Sequence, residues 1–84
     1  MSDLTLSQFE QIDGLMATLL RMGEFETCAD PRGYIRTSSL LLDVLVDAFG
    51  LEYVNDFSDA LECATYVVTQ ALLGQIEVLD EEAA

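Results

Sequence analysis

The sequence predicts an all-α protein, a compact bundle of three main helices with an irregular loop or a short hairpin after the first helix. The chain has 84 residues, which is the size of one domain. Hydrophobic residues make up 51% of it, which is too many for a disordered acidic chain. Apolar residues recur at helical spacing in three segments, and glycine or proline separates these segments.

The first helix is predicted over residues 6–22. Thr5 can cap its N-terminus, and Gln8 stands three residues later, where it completes a capping box. Gly23 is a natural cap for the C-terminus. The apolar stripe expected to face the core consists of Phe9, Ile12, Leu15, Met16, Leu19 and Leu20.

The segment 24–36 is predicted to be the least helical part of the domain. Asp30-Pro31-Arg32-Gly33 has the composition of a β-turn, with proline at the second position. The flanks of this turn can pair as a short hairpin or form a structured loop, and we favour the loop. Two of the three arginines, Arg32 and Arg36, fall in this segment.

The second helix is predicted to begin at a cap formed by Thr37 or Ser38 and to end at Gly50. In the body of this helix, residues 40–49, only Asp43 and Asp47 interrupt the apolar residues, and their spacing places both on one face. A helix with so narrow a polar stripe needs cover on most sides. We therefore expect it to be the central helix of the domain or the seam of a homodimer, and we predict a homodimer.

The third helix is predicted to start near Asp56 or Ser58 and to end at Gly74. Its buried stripe is expected to consist of Phe57, Ala60, Leu61, Ala64, Val68, Ala71 and Leu72. The segment 75–78 alternates polar and apolar residues, which is typical of a chain lying extended against the body. Residues 1–79 are assigned to the single helical domain, and residues 80–84 to an acidic mobile tail.

The charge of the chain is one-sided. It has three arginines, no lysine and no histidine, and its formal net charge is -13. No basic residue follows Arg36, whereas the same part of the chain contains Asp43, Asp47, Glu52, Asp56, Asp59, Glu62, Glu77, Asp80, Glu81 and Glu82. Such a field repels nucleic acid and anionic membranes and attracts basic surfaces. We predict that the partner is a basic protein surface, with no direct binding to nucleic acid or membrane.

The candidate partner-binding residues are Asp43, Asp47, Asp56, Asp59, Glu62 and Tyr66. Three of these acids recur every third residue at the start of the third helix, where acids also cap the helix and favour its macrodipole. Capping alone is a sufficient explanation for that trio. The alternative is phosphate mimicry, because carboxylates about 5–6 Å apart on a helix approach the charge density of nucleic acid. Tyr66 is then an aromatic anchor among the acids, although single exposed tyrosines are also common.

Most catalytic chemistry is excluded by the composition. Without histidine there is no imidazole base or ligand, and two cysteines outside a CxxC pair make a poor zinc site. One enzymatic pattern remains, Glu10-x-x-Asp13 with Asp56-x-x-Asp59, since such pairs on facing helices hold Mg²⁺ in all-helical nucleotide hydrolases. That class also uses basic residues against the phosphates, and this chain has few. We predict no enzyme, no cofactor and no metal.

The function predicted from these observations is that of a non-enzymatic, cytoplasmic interaction protein with Cys28 and Cys63 reduced. In the preferred version it is an inhibitor that occupies a basic nucleic-acid-binding surface. Small phage-type anti-defence proteins and nucleic-acid mimics have this size and charge. One alternative is a dimeric structural or adaptor module whose acidity serves solubility or life in high salt. The other is the Mg²⁺-dependent nucleotide hydrolase.

Overall fold

The computed structural model describes residues 3–79 and confirms an all-α bundle. The tail predicted for residues 80–84 lies outside the described residues. A pair of two-residue strands accompanies the helices. The elements, in chain order, are β1 (Leu4–Thr5), α1 (Leu6–Met22), a 3₁₀ turn (Phe25–Thr27), α2 (Pro31–Phe49), α3 (Leu51–Val54), α4 (Ala60–Leu72) and β2 (Val78–Leu79).

Helix α1 occupies the predicted residues. The Thr5 Oγ1 accepts a hydrogen bond from the backbone N–H of Gln8, and the Thr5 N–H donates to Gln8 Oε1, both at 3.1 Å. These bonds form the predicted capping box. At the other end the Gly23 N–H donates to the Leu19 carbonyl at 3.1 Å. Leu19 is buried, but Leu20 is exposed and lies outside the core stripe in which it was predicted.

Helix α2 begins at Pro31, six residues before the predicted cap at Thr37. The Asp30 carboxylate caps it by accepting a hydrogen bond from the Gly33 N–H at 3.1 Å. Pro31 occupies the first helical turn, where a backbone N–H has no helical partner. The residues predicted to form a turn are therefore the start of a helix, and Thr37 and Ser38 lie inside it.

The connection between α1 and α2 is shorter than predicted and spans residues 23–30. It contains the 3₁₀ turn, in which the Cys28 N–H donates to the Phe25 carbonyl at 3.3 Å, and it forms no hairpin. The Cys28 sulfur accepts a hydrogen bond from the Asp30 N–H at 3.4 Å. Cys28 and Cys63 are both free thiols.

Helix α2 is the central helix of the bundle, as predicted, and it contacts α1, α3 and α4. Leu41 and Leu45 have no exposed surface. Cover is nevertheless less complete than predicted, because Leu40 is 50% exposed and Leu42 is 38% exposed. Neither α2 nor any other helix within residues 3–79 combines the length and the apolar composition needed to cross a membrane.

The chain between α2 and α4 differs from the prediction at two points. Gly50 ends α2 as predicted, with φ at 92°, but the short helix α3 follows at once and was not predicted. The cap of α4 is Asp59, and not Asp56 or Ser58. Five residues of turn and bend, 55–59, therefore separate α3 from α4, and the last of them is the cap Asp59.

The buried face of α4 is rotated relative to the predicted stripe. It includes Cys63 and Val67, neither of which is exposed, and it excludes Leu72, which is 77% exposed. One core joins all the helices and the strand pair, and it consists of Leu4, Ile12, Leu19, Leu41, Leu45, Val54, Cys63, Ala64, Val67, Val68 and Ile76.

The segment 75–78 was predicted to lie extended against the body, and this is correct only at its end: residues 73–76 form turns and bends, and β2 begins at Val78. Ile76 is buried, and β2 pairs in parallel with β1. Leu4 is aligned with Val78, and the Leu4 N–H donates to the Glu77 carbonyl at 2.9 Å. The two ends of the described chain are thus joined beside the start of α1.

Candidate functional site

The acidic residues at the start of α4 are held by its N-terminal cap. The Asp59 carboxylate accepts a hydrogen bond from the Glu62 N–H at 2.7 Å. The Glu62 carboxylate accepts bonds from the Ser58 N–H at 3.2 Å and from the Ser58 hydroxyl at 2.8 Å. These bonds from Ser58 lower the pKa of Glu62, because they favour its charged form. An acid therefore does cap the helix, but it is Asp59 and not the predicted Asp56 or Ser58. The side chains of Asp59 and Glu62 both remain exposed.

A row of four aromatic rings extends from the end of α2 to α4. The ring centroids of Phe49 and Tyr53 are 5.0 Å apart, those of Tyr53 and Phe57 are 5.5 Å apart, and those of Phe57 and Tyr66 are 5.4 Å apart. Tyr66 is the solvent end of the row and is 45% exposed. One side of its ring is thus held by Phe57, and the rest is available. A tyrosine positioned in this way loses little conformational entropy on binding.

Tyr53 contributes packing to this row and offers no polar group to a partner. Its hydroxyl is buried and has no hydrogen-bond partner among the described residues. Burial raises the pKa of Tyr53, with smaller contributions from Cys63, Tyr66 and Asp56. The phenol of Tyr53 is therefore uncharged at neutral pH.

Three open grooves meet at Asp59. The first has a volume of about 420 Å³ and lies between α2 and the chain that leads into α4. The second runs along the outer face of α4, past Glu62 and Tyr66. The third lies between the end of α1 and the 3₁₀ turn. Asp59 lines all three grooves, and Phe25 and Tyr34 line two of them.

We use the name Asp59 surface for the side chains around this junction, namely Phe25, Ile35, Leu42, Phe57, Asp59, Glu62 and Tyr66. Ile35 is 55% exposed, and Phe25 is exposed to a similar extent. The Asp59 surface thus combines exposed aromatic and aliphatic side chains with two carboxylates. Contiguous exposed apolar residues within a polar rim are typical of interaction sites.

The structure divides the predicted partner-binding residues between two surfaces. The first group lies in the turn before α4 and along the first half of that helix, and it consists of Asp56, Asp59, Glu62 and Tyr66. Of these four residues, Asp56 lines none of the three grooves. The second group, Asp43 and Asp47, is exposed on the outer face of α2 and lines none of the three grooves. Asp43 is about 100° around the helix from Leu42, which faces the first groove. The grooves therefore do not bring all six residues into one site.

The apolar part of the Asp59 surface was not predicted from the sequence. Phe25 and Ile35 fell in the segment assigned to a loop, and Leu42 fell in a helix that was expected to be covered. One signal was available, since Asp30 before Pro31 is also a helix start. With the helix begun there, Ile35 and Leu42 stand seven residues apart and share one face.

The carboxylate pairs of the hydrolase alternative do not form a cluster. Within residues 3–79 no group of three or more histidine, cysteine, aspartate or glutamate side chains is placed to hold a metal ion. Glu10 and Asp13 therefore do not join Asp56 and Asp59 in the site of four carboxylates that this alternative requires. The Asp59 surface offers charge and apolar contact instead.

The two thiols differ in accessibility, and this difference gives a first prediction. Cys63 is fully buried, and burial together with the charge of Glu62 raises its pKa to about 11. Cys28 is only half-buried. Iodoacetamide at about pH 8 is expected to modify Cys28 in the folded protein and to leave Cys63 unmodified until denaturant is added, because the thiolate is the reactive form. Peptide mass spectrometry measures both sites, and equal rates without denaturant would contradict the buried position of Cys63.

The arrangement around Asp59 is suited to binding a partner. A protein segment that carries basic side chains beside apolar ones matches both its carboxylates and its grooves. Comparisons of the chain with protein families, with curated proteins and with solved structures found no match in any of the three.

Proposed function

We propose that this protein is a non-enzymatic, cytoplasmic interaction protein that uses the Asp59 surface to occupy a basic, nucleic-acid-binding surface of a partner protein. The observation that supports this best is the position of Asp59 at the meeting point of three grooves, beside Glu62 and the exposed ring of Tyr66. The net charge of -13 adds long-range attraction toward basic surfaces. The two free cysteines support a reducing compartment.

The carboxylates and the tyrosine are expected to act on different rates. Asp59 and Glu62 are exposed, so their charges mainly steer association. Exposed charge pairs contribute about 0.2–1 kcal/mol each, whereas a packed tyrosine at an interface centre contributes about 2 kcal/mol or more. Tyr66 is already held against Phe57 and is placed to become such a centre.

The test begins by identifying the partner. The immobilised protein captures binding proteins from a nuclease-treated lysate of the producing cells, and the purified partner is then used for kinetic measurements. Asp59→Asn and Glu62→Gln remove charge while keeping the cap of α4, because asparagine caps as well as aspartate and glutamine can complete a capping box. Glu10→Gln is the matched control, since Glu10 is exposed and lines none of the three grooves.

We expect the double variant Asp59→Asn/Glu62→Gln to lower the association rate by roughly three- to tenfold, with little change in dissociation. Tyr66→Ala is expected to raise the dissociation rate by roughly 30-fold, which corresponds to about 2 kcal/mol. Wild-type affinity should fall steeply between about 0.05 and 0.5 M salt, because screening shortens the reach of the charges. DNA or RNA should compete for the same site on the partner. Binding that is insensitive to both salt and nucleic acid would contradict the proposal and favour an adaptor whose charge serves solubility.

A further inference from the structure

The outer face of α2 carries a charge pattern that the proposed function does not use. Successive spacings of four, four, three and four residues place five exposed side chains on one side of this helix. We call them the α2 stripe, which consists of Arg32, Arg36, Leu40, Asp43 and Asp47. The α2 stripe is basic in its first half and acidic in its second half, with a half-exposed leucine between them.

The α2 stripe is complementary to itself in the antiparallel direction. The midpoint between Arg36 and Asp43 and the midpoint between Arg32 and Asp47 both fall at positions 39–40. With a rise of about 1.5 Å per residue, the inner pair is about 10 Å apart along the helix axis and the outer pair about 22 Å apart. A two-fold axis through the common midpoint therefore brings every arginine of one stripe opposite an aspartate of the other.

We propose that the α2 stripe is the interface of an antiparallel homodimer, so that its occupant is a second copy of this chain. Arg36 of each protomer faces Asp43 of the partner subunit, and Arg32 faces Asp47 of the partner subunit. The two-fold symmetry repeats each pair, as in any isologous interface. Leu40 lies next to the axis and provides the apolar contact there.

The overall charge explains why this local pattern matters. Two chains with a net charge of -13 repel each other, so an interface between them needs its few cations opposite anions. Two of the three arginines belong to the α2 stripe, and neither makes a hydrogen bond or an ion pair within residues 3–79. Exposed ion pairs are individually weak, so we expect a dimer that forms in the upper micromolar range.

This dimer does not depend on the proposed function, because the α2 stripe and the Asp59 surface share no residue. It assigns Asp43 and Asp47 to self-association and leaves Asp59, Glu62 and Tyr66 for a partner. A dimer then presents two copies of the Asp59 surface, which favours bivalent binding wherever the partner offers two sites at a matching distance.

Charge reversal on the α2 stripe tests the pairing. The variant Arg32→Asp/Arg36→Asp makes the stripe acidic throughout, and Asp43→Arg/Asp47→Arg makes it basic throughout. Each variant alone is expected to dimerise at least about tenfold more weakly than wild type, because like charges then face each other. An equimolar mixture of the two is expected to form a 1:1 heterodimer. Sedimentation equilibrium over about 10–500 μM, a range chosen to bracket a weak dissociation constant, measures the masses.

Two controls change the net charge without changing the α2 stripe. Glu10→Arg/Asp13→Arg matches the basic variant, and Arg21→Asp reverses the remaining arginine; all three positions are exposed on α1. A monomeric wild type across the whole range, equal weakening in the controls, or failure of the mixed variants to pair would each overturn the proposal. Circular dichroism checks the fold, and if a reversal variant loses helix, the neutral pair Arg36→Gln and Asp43→Asn repeats the test with a smaller expected weakening.

Discussion

Replacing Leu45 with alanine is expected to lower the free energy of unfolding by about 2–5 kcal/mol. Leu45 has no exposed surface and lies on α2, which contacts all three other helices. Truncating its side chain leaves a cavity, and walls contributed by several helices cannot collapse fully to fill it. Small domains have a total stability of about 5–15 kcal/mol, so this loss is a large share of it. Chemical denaturation followed by circular dichroism gives the free energy.

Leu72→Ala is the matched control for this prediction. Leu72 lies near the end of α4 and is 77% exposed, so the same substitution is expected to change stability by no more than about 0.5 kcal/mol. Equal losses for the two variants would contradict the position of the core.

Leu41 is also fully buried, and a charge introduced there therefore tests the core and not a dimer interface.

Replacing Gly50 with alanine is expected to lower the free energy of unfolding by about 1–3 kcal/mol. Gly50 joins α2 to α3 with φ at 92° and ψ at 155°, a backbone conformation that residues with a Cβ avoid. Apart from Gly50 and its two chain neighbours, no residue has a heavy atom within 4 Å of the position that a Cβ would take, so the cost is backbone strain and not a clash. The strain would fall at the junction from which the row of aromatic rings extends toward Tyr66.

Gly14→Ala makes the same substitution where the backbone is helical. Gly14 lies within α1, and a Cβ there would also meet open space. Alanine is expected to raise the free energy of unfolding at this position by about 0.5–1 kcal/mol, because glycine loses more backbone entropy in a helix. Denaturation midpoints of the two variants should move in opposite directions, and a shift of the same sign in both would argue against the Gly50 conformation.

The parts of the fold that were predicted correctly are those decided by hydrogen bonds between neighbours in the chain. Thr5 and Gln8 cap each other within one turn, so α1 could be placed from its sequence. Gly23 and Gly50 end their helices in conformations that favour glycine. These signals need no information about tertiary packing.

The start of α2 could not be decided locally. Aspartate followed by proline opens a β-turn or a helix equally well, since both use the proline backbone angle. The outcome depends on whether the following residues have something to pack against. Tyr34 lies in the first turn of α2 and packs against the buried core. The centroid of its ring is 5.6 Å from that of Phe25. These contacts between separate segments favour the helix over the turn.

The same distinction applies to the candidate site: the part formed by neighbours in the sequence was predictable, and the part formed by packing was not. Asp59, Glu62 and Tyr66 are near neighbours on one helix, so their common location follows from their spacing. The apolar partners, Phe25 and Ile35, come from other elements and meet α4 only when the bundle packs. In α4 itself apolar residues occur on nearly every side, so their spacing does not indicate which side faces the core.

The parallel pairing of β1 with β2 has a consequence for engineering. Paired strands lie about 4.8 Å apart, so Leu4 and Val78 bring the two ends of the described chain together at one edge of the domain. A linker from residue 79 to residue 3 therefore has little distance to bridge in a circular version of residues 3–79, and neither strand contributes to the Asp59 surface. A closed ring has less conformational entropy to lose on folding than the linear chain. Ring closure is thus a route to a more stable version of the same binding surface.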